Sequence, residues 1–233
     1  MNKKTIVAVT LLAAAAAGCT STPTFQTGED AEVTFDGLTR MEGTIMDAVW
    51  ALTDIDLTAY SKVMFEGIGV EYREVSGPYS GRAGSTTARR RSQSEFRLHP
   101  DTRALFEEEI AGAFREEMAS SEVFEIVEEA GPEVLLVRGG LLDVVSRVPP
   151  ETVGRSRIFI DSVGEATLIL EIRSSVSNSI YARAVDRRAA QSGATMTESN
   201  RVTNRAEVRR LGRRWGRMLR DGLDTLLTEG LKN

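Results

Sequence analysis

The catalytic chemistry available to this sequence is limited by its single histidine, His99, and its single cysteine, Cys19. A histidine-based triad or a zinc site needs further side chains that share the task, and no second imidazole or thiol exists to do so. Pro100 follows His99 directly. Because proline favours the first position of a helix, we predict that His99 is a helix-entry residue and not a catalytic one.

Acidic and glycine-containing stretches give no sign of a catalytic or cofactor site. The acidic run at 107–109 is predicted to be a solvated helix face, because neighbouring helix positions point in different directions. Gly139 and Gly140 fall inside a predicted strand, without the helix that a phosphate-binding loop needs. We therefore predict that the protein is not an enzyme, with no catalytic residues, no metal and no cofactor.

Cys19 lies at the end of a segment with the features of an export signal. Lys3 and Lys4 precede an apolar run at 6–17, which is too short for a transmembrane helix of about 20 residues. The run ends in the small residues Ala16-Ala17-Gly18, directly before Cys19. This ending resembles the bacterial lipobox, which implies cleavage before Cys19 and lipidation of that residue.

Lipidation would also explain why the chain has one cysteine, since a lone thiol in an exported protein otherwise lacks a partner. The other interpretation is an ordinary signal peptide cleaved near Ala17, with Cys19 incidental. Stable anchoring takes more than one acyl chain, and the triacylated, palmitate-type cysteine implied by the lipobox would supply them. Thr20 follows Cys19. In lipoproteins with a lipobox, Asp at this position favours retention in the inner membrane. Because Thr20 stands there instead, we predict an outer-membrane lipoprotein facing the periplasm.

The rest of the chain is acidic and long enough for one domain. The 233 residues carry a formal net charge of −5, and loss of Lys3 and Lys4 with the signal peptide makes the mature chain more acidic. This balance argues against nucleic acid as a partner. No second apolar run reaches the length of a membrane-spanning helix, so the predicted contact with the membrane is through the N-terminal lipid.

Arginines are concentrated near the C-terminus, where residues 201–220 contain eight arginines and one acid, Glu207. Asn204 and Glu207 resemble a capping box, and Trp215 belongs to the apolar stripe of the predicted helix. The opposite side carries the candidate residues for contact with an anionic surface, which are Arg209, Arg210, Arg213, Arg214, Arg217 and Arg220. Two interpretations stay open: a solvated face, or docking to anionic lipid headgroups or an acidic partner.

Hydrophobic patterns predict the remaining elements. Strands are expected at 60–75 and 134–148, and a hairpin is expected from 166–173 and 180–185. A helix with one apolar stripe begins at Pro100. Residues 35–60 are expected to be irregular. Trp50 is expected to pack inward. Gly212 and Gly216 are expected to allow close packing of the C-terminal helix, against the sheet more often than against another chain.

Several motifs after residue 34 resemble a bacterial lipoprotein family known only as domain of unknown function 3313. They are structural motifs, so the resemblance implies a lipoprotein and no particular activity. They are Phe35-Asp36-Gly37-Leu38, Met46-Asp47-Ala48-Val49-Trp50, Asp56-Leu57-Thr58-Ala59-Tyr60-Ser61-Lys62, Gly131-Pro132-Glu133-Val134-Leu135-Leu136-Val137 and the hairpin at 165–188.

These observations predict an α+β fold, with a mostly antiparallel sheet and two amphipathic helices packed on one face. The expected organisation is a signal peptide (1–18), a flexible tether (19–34) and one domain (35–233) with long loops at 76–97 and 187–203. The predicted function is a non-catalytic binding or auxiliary subunit of an envelope assembly, with a possible envelope protein partner. The alternative is a self-associating structural lipoprotein without a small-molecule ligand, and the sequence does not indicate the oligomeric state.

Overall fold

The described part of the chain folds into ten strands and two helices. This computed structural model describes residues 23–76, 95–149, 157–191, 193 and 195–230. The helices are α1 (Pro100–Met118) and α2 (Arg201–Glu229). The strands are β1 (Thr24–Phe25), β2 (Thr39–Glu42), β3 (Ala48–Ala51), β4 (Lys62–Tyr72), β5 (Glu125–Ile126), β6 (Val134–Ser146), β7 (Phe159–Ile160), β8 (Gly164–Ser174), β9 (Ile180–Ala189) and β10 (Thr197–Glu198).

Eight of these strands form one sheet in the order β1-β2-β3-β9-β8-β6-β4-β5, and β10 pairs with β7 separately. The predicted α+β class, with a mostly antiparallel sheet and two helices, is confirmed. The predicted signal peptide, Cys19 and residues 77–94 of the predicted loop at 76–97 lie outside the described residues.

Two parallel pairs, β4–β6 and β4–β5, interrupt the antiparallel order. Parallel neighbours need a long crossover, and here the chain passes through α1 between β4 and β6. Gly140 of β6 allows the close approach of β4, because a Cβ there would lie 2.5 Å from Ile68 Cγ1 and 2.8 Å from the Gly69 carbonyl oxygen. A register shift in the β6–β8 pairing follows at Asp143, a non-glycine residue with φ +56°.

The predicted hairpin is confirmed as β8 and β9, and its alternation divides the sheet into two faces. Buried residues of β8 alternate with half-buried ones, such as Glu165 and Glu171. The buried face contacts the helices, as the rings of Phe65 and Phe114 show with a centroid separation of 6.1 Å. We call this side the helix face and the other side the open face. The buried hydrophobic residues of β8 are Ala166, Leu168, Leu170 and Ile172.

Helices α1 and α2 pack side by side and run in the same direction. An added Cβ would lie 2.7 Å from the Ile110 carbonyl oxygen at Gly212, and 2.8 Å from that of Phe114 at Gly216. A step of four residues along α2 is thus matched by a step of four residues in the same direction along α1, which shows that the helices are parallel. The close helix packing expected at these glycines is confirmed, but the expected contact with the sheet is wrong, since they contact α1 instead. Missing side chains let the two backbones approach closely.

The helix starts show one confirmed signal and one corrected signal. His99 caps α1 as predicted, with its Nδ1 accepting from the Asp101 backbone N–H at 3.3 Å. The capping box of α2 is formed by Asn200 and Thr203, with both reciprocal hydrogen bonds between 3.0 and 3.1 Å. The capping box predicted four residues later, at Asn204, is therefore wrong. The Thr203 hydroxyl, at the third helical position, accepts the hydrogen bond from the Asn200 backbone N–H that a Glu or Gln side chain usually accepts in a capping box.

The predicted tether at 19–34 is wrong for its C-terminal part. Thr24 and Phe25 pair with β2 at the edge of the sheet, and Val33 forms a bridge with Thr39. The Gln26 backbone N–H also donates to the Arg40 carbonyl at 2.9 Å. Ladder hydrogen bonds thus hold a segment whose polar composition suggested a tether.

Two other predicted irregular segments are shorter than expected. The region at 35–60 contains β2 and β3, and Trp50 is half-buried on the open face, with its Nε1 donating to Glu32 Oε1 at 3.0 Å. The loop predicted at 187–203 is shorter at both ends than expected, because β9 continues to Ala189 and α2 begins at Arg201. Polar side chains on a half-buried strand and in a first helical turn look like a loop in sequence.

Candidate functional site

Five of the six arginines nominated from the sequence form ion pairs, most of them with glutamates of α1. The arginine side of α2 faces the acidic side of α1, and because the helices are parallel, successive arginines meet successive glutamates. Arg214, the sixth, is exposed. The pairs and their N···O distances are Arg209–Glu109 (3.4 Å), Arg209–Glu116 (2.9 Å), Arg213–Glu116 (3.2 Å), Arg217–Glu117 (3.4 Å), Arg220–Glu117 (3.3 Å), Arg220–Asp221 (2.7 Å) and Arg210–Glu207 (3.1 Å).

The acidic side of α1 is not the uniformly solvated face that was predicted. Glu109 is 8% exposed and pairs with Arg205 and Arg209. The hydrogen bond from Arg205 is the main cause of a lowered pKa at Glu109. Hydrogen bonds from Arg213 and Arg209 likewise lower the pKa of Glu116. These ion pairs connect the two helices, and contact of the arginines with an anionic surface stays a prediction in which headgroups would compete with these carboxylates.

A fully buried carboxylate, Asp186 on β9, joins the sheet to α2. Trp215 Nε1 donates to its Oδ2 at 2.7 Å, Arg188 Nη2 donates to its Oδ1 at 3.0 Å, and the Asp47 backbone N–H donates to Oδ1 at 3.2 Å. These donors compensate the desolvation that makes an unpaired buried charge strongly unfavourable. Sequence reasoning missed this cluster. The available signal was that Asp186 lies in phase with the buried Ala182 of β9.

The open face carries a row of residues that crosses six strands. Within the row, the Arg40 guanidinium lies 4.6 Å from the Trp50 ring centre, and Arg183 contacts Glu171 at 3.1 Å. Opposite charges on adjacent strands stabilise such a face, so this row has a structural explanation. In register order, it consists of Arg40, Trp50, Arg183, Glu171, Arg138 and Glu66.

A second ion cluster surrounds Asp143 at the register shift of β6. Arg73 Nε donates to Asp143 Oδ1 at 2.6 Å, and Arg187 Nη1 donates to Oδ2 at 2.8 Å. Glu165 accepts from the same two arginines. The hydrogen bond from Arg73 is the main reason that the pKa of Asp143 falls from 3.8 to about 2. The same contacts raise the pKa of both arginines.

The lowered pKa of Asp143 predicts a loss of stability in acid. A carboxyl group whose pKa is lower in the folded state stabilises the fold above its unfolded pKa, and this contribution disappears as pH falls from about 4 to about 2. We expect Asp143→Asn to be less stable than wild type at pH 7. Its free energy of unfolding should depend less steeply on pH below 4, as measured by urea unfolding at pH steps. Parallel pH profiles for the two proteins would contradict this role.

Within the described ranges, no cluster of three or more His, Cys, Asp or Glu side chains is arranged to hold a metal ion. The same ranges contain no helix that is long and apolar enough to cross a bilayer. His99 is engaged at the start of α1. The absence of catalysis stays a prediction.

An apolar cleft of about 390 Å³ lies between the C-terminal half of α2 and the helix face of β2, β3 and β9. We call it the apolar groove and define it by Met41, Val49, Ala182, Met218 and Leu226. The volume falls within the range of roughly 300–1,000 Å³ that is usual for small-molecule sites. Flexible methionine side chains from the sheet and from α2 allow such a surface to adapt to an occupant.

The apolar groove is bounded by a turn, by the first described residue and by a glycine of α2. The turn at 43–46 lies across from α2, and Pro23, the first described residue, also lines the groove. Gly222 widens it, because a Cβ at this position would meet nothing within 4 Å. Tyr181 lines the groove, but its hydroxyl is engaged by that of Tyr60 at 2.7 Å. Burial raises the pKa of Tyr60 to about 12.

Sequence reasoning did not predict the apolar groove. The apolar stripe of α2 was expected, and Met218 belongs to it. Only the packing shows that part of this stripe faces a cleft instead of a closed core.

A family model matches most of the chain and tests the family resemblance. A family model described as “Protein of unknown function (DUF3313)” matches residues 29–219. The chain belongs to this family. All the motifs that indicated DUF3313, from Phe35 to the hairpin at 165–188, lie inside the matched range. The DUF3313 description carries no activity. No curated protein matches the chain.

Several solved structures are similar to this DUF3313 chain at low identity. A PelC dodecamer from Paraburkholderia phytofirmans is 13% identical with a TM-score of 0.31, covering 74% of this chain and 96% of that one. A DUF330 protein from Xanthomonas campestris is 12% identical with a TM-score of 0.32, covering 70% and 83%. A putative neuraminyllactose-binding hemagglutinin homolog from Helicobacter pylori is 10% identical with a TM-score of 0.31, covering 75% and 86%. Similarity at this level carries no argument about function.

Proposed function

We propose that this DUF3313 protein is an outer-membrane lipoprotein, anchored through Cys19 and facing the periplasm. There it acts without catalysis as a binding or auxiliary subunit of an envelope assembly. The observation that carries the proposal is the apolar run that ends in Ala16-Ala17-Gly18 directly before Cys19. Within the described residues, no helix offers another way to span the membrane.

The fold supports an anchor that holds the domain close to the membrane. Pro23 already lines the apolar groove, and Thr24 begins β1. Four residue steps separate Cys19 from Pro23. At about 3.3–3.6 Å for each extended residue, Pro23 would lie within about 15 Å of the lipidated residue. A binding site on this domain would therefore work near the membrane surface.

The apolar groove supports a binding role better than the charged clusters do. Five of the six arginines nominated on α2, and those around Asp143, already contact carboxylates of the same chain, with which an anionic ligand would compete. The groove instead combines a suitable volume with an apolar lining, the usual properties of a site for a small ligand.

Replacement of Cys19 by alanine tests the anchor. We expect the Cys19→Ala variant to lose labelling with radioactive palmitate and to appear as an unprocessed or soluble form. A Thr20→Asp variant is the matched control, because it keeps the lipidated cysteine and should move the protein to the inner-membrane fraction. The proposal fails if Cys19→Ala still fractionates with the outer membrane and resists washing with high salt.

A further inference from the structure

We propose that the apolar groove is the docking site for one acyl chain of the protein's own lipid-modified Cys19. This inference rests on the proposed lipid anchor. It names the occupant of the groove, and it predicts that one of the chains on Cys19 lies in the protein while the remaining chains hold the membrane.

The position of the N-terminus selects this occupant. Pro23 lines the groove, and four residue steps connect it to Cys19. An acyl chain attached to Cys19 therefore begins within about 15 Å of the groove, given an extended length of about 3.3–3.6 Å per residue. A ligand on so short a connection has a high effective concentration, which favours it over free lipids of the same chemistry.

The lining of the groove matches an aliphatic chain without a charged end. Val49, Ala182, Met218 and Leu226 present hydrocarbon and thioether groups to the cleft. The acids Asp221 and Glu229 also line it and would repel the carboxylate of a free fatty acid, whereas the cation in the lining, Arg183, is already paired with Asp36 and Glu171. A chain that is already attached at Cys19 brings no carboxylate with it, because its carboxyl group is consumed in the ester or amide bond.

The energetic balance also favours docking. A bilayer is about as apolar as a leucine-rich surface, so moving a chain from the bilayer to the groove changes the chain's own environment little. The apolar lining of the groove, however, is removed from water when the chain enters, and this burial is favourable. Because a triacylated cysteine carries three chains and stable anchoring takes two, docking of one chain leaves the anchor intact.

Photo-crosslinking in intact envelopes tests the inference. Cells would be fed a palmitate analogue that carries a photoreactive diazirine, and the full-length protein would be irradiated in its membrane and mapped by mass spectrometry. We expect crosslinks between the N-terminal lipopeptide and groove residues such as Met218, Leu226 and Met41 of the same chain. Mixing isotopically heavy and light copies before irradiation distinguishes crosslinks within one chain from crosslinks between two chains.

A groove-blocking variant provides the matched comparison. Gly222→Leu places a side chain in the groove, where the structure leaves open space. We expect this variant to keep the lipid label and to lose the crosslinks to the groove. Gly112→Leu is the control, since it also introduces leucine at a helical glycine with open space around it, and α1 does not line the groove. It should retain the crosslinks.

The outcomes separate this inference from the proposed function. A protein without lipid label overturns both. A labelled protein with no crosslinks in the groove overturns the docking of the acyl chain and leaves the anchor intact. Groove crosslinks that carry the mass of a phospholipid, or that join two copies of the chain, also overturn the inference, because they assign the groove to another occupant.

Discussion

Replacing Trp215 with alanine should lower the free energy of unfolding by about 3–5 kcal/mol, which is the usual range for deleting a buried tryptophan. Trp215 is 1% exposed and belongs to the main hydrophobic core. Its Nε1 also donates to the fully buried Asp186 at 2.7 Å. The substitution therefore removes packing from the core and a hydrogen bond from a buried charge. Guanidinium chloride unfolding measures the loss.

Two further variants separate these contributions. Trp215→Phe keeps an aromatic ring in the core but removes the donor to Asp186, and should cost about 1–3 kcal/mol, the range for a buried acceptor that loses its partner. Trp50→Ala is the matched control, because Trp50 is half-buried on the open face and donates to Glu32. Equal losses for Trp50→Ala and Trp215→Ala would contradict the placement of Trp215 at the centre of the fold.

Alanine substitutions at the glycines of the helices should have opposite signs at different positions. Gly212→Ala and Gly216→Ala should each destabilise the fold by about 1–3 kcal/mol, the usual cost of overpacking a tight contact. At both positions the added Cβ would lie within 2.8 Å of a carbonyl oxygen of α1, which the backbone must move to relieve. Thermal and urea unfolding of the single variants would measure the effect.

Glycines elsewhere on the same helices provide the controls. Gly112→Ala and Gly222→Ala should each stabilise the protein by about 0.5–1 kcal/mol, because alanine is the better helix former and the added Cβ meets no atom within 4 Å. If all four substitutions stabilised the protein, the close contact between α1 and α2 would be wrong.

The elements that were predicted correctly depend on local patterns. The apolar run of β6, the hairpin of β8 and β9, and the start of α1 at Pro100 were all visible as short-range signals. Alternation, turn residues and helix caps act within a few positions along the chain. The capping box of α2 was misplaced because Asn200 and Asn204 are both suitable capping residues. Only the real start of the helix chooses between them.

The candidate sites were predicted less well, because they depend on residues that are distant in sequence. The arginines of α2 were recognised as one face, but their partners Glu109, Glu116 and Glu117 lie about a hundred positions earlier. Asp186 lies one position beyond the predicted strand at 180–185, and no role was predicted for it from the sequence. Its burial follows from the position of Trp215 above β9, which no pattern within either element shows.

For this protein, the sequence alone determined the α+β class, the family and the main strands, and lipid attachment at Cys19 stays a prediction from it. Each of these follows from composition or from patterns within a single segment. The tertiary structure decided that β4 and β6 are parallel, that glutamates of α1 pair with several arginines of α2, and that an apolar groove lies beside Pro23. These features arise where separate segments meet, and hydrophobic periodicity shows which side of a segment is apolar without showing what packs against it.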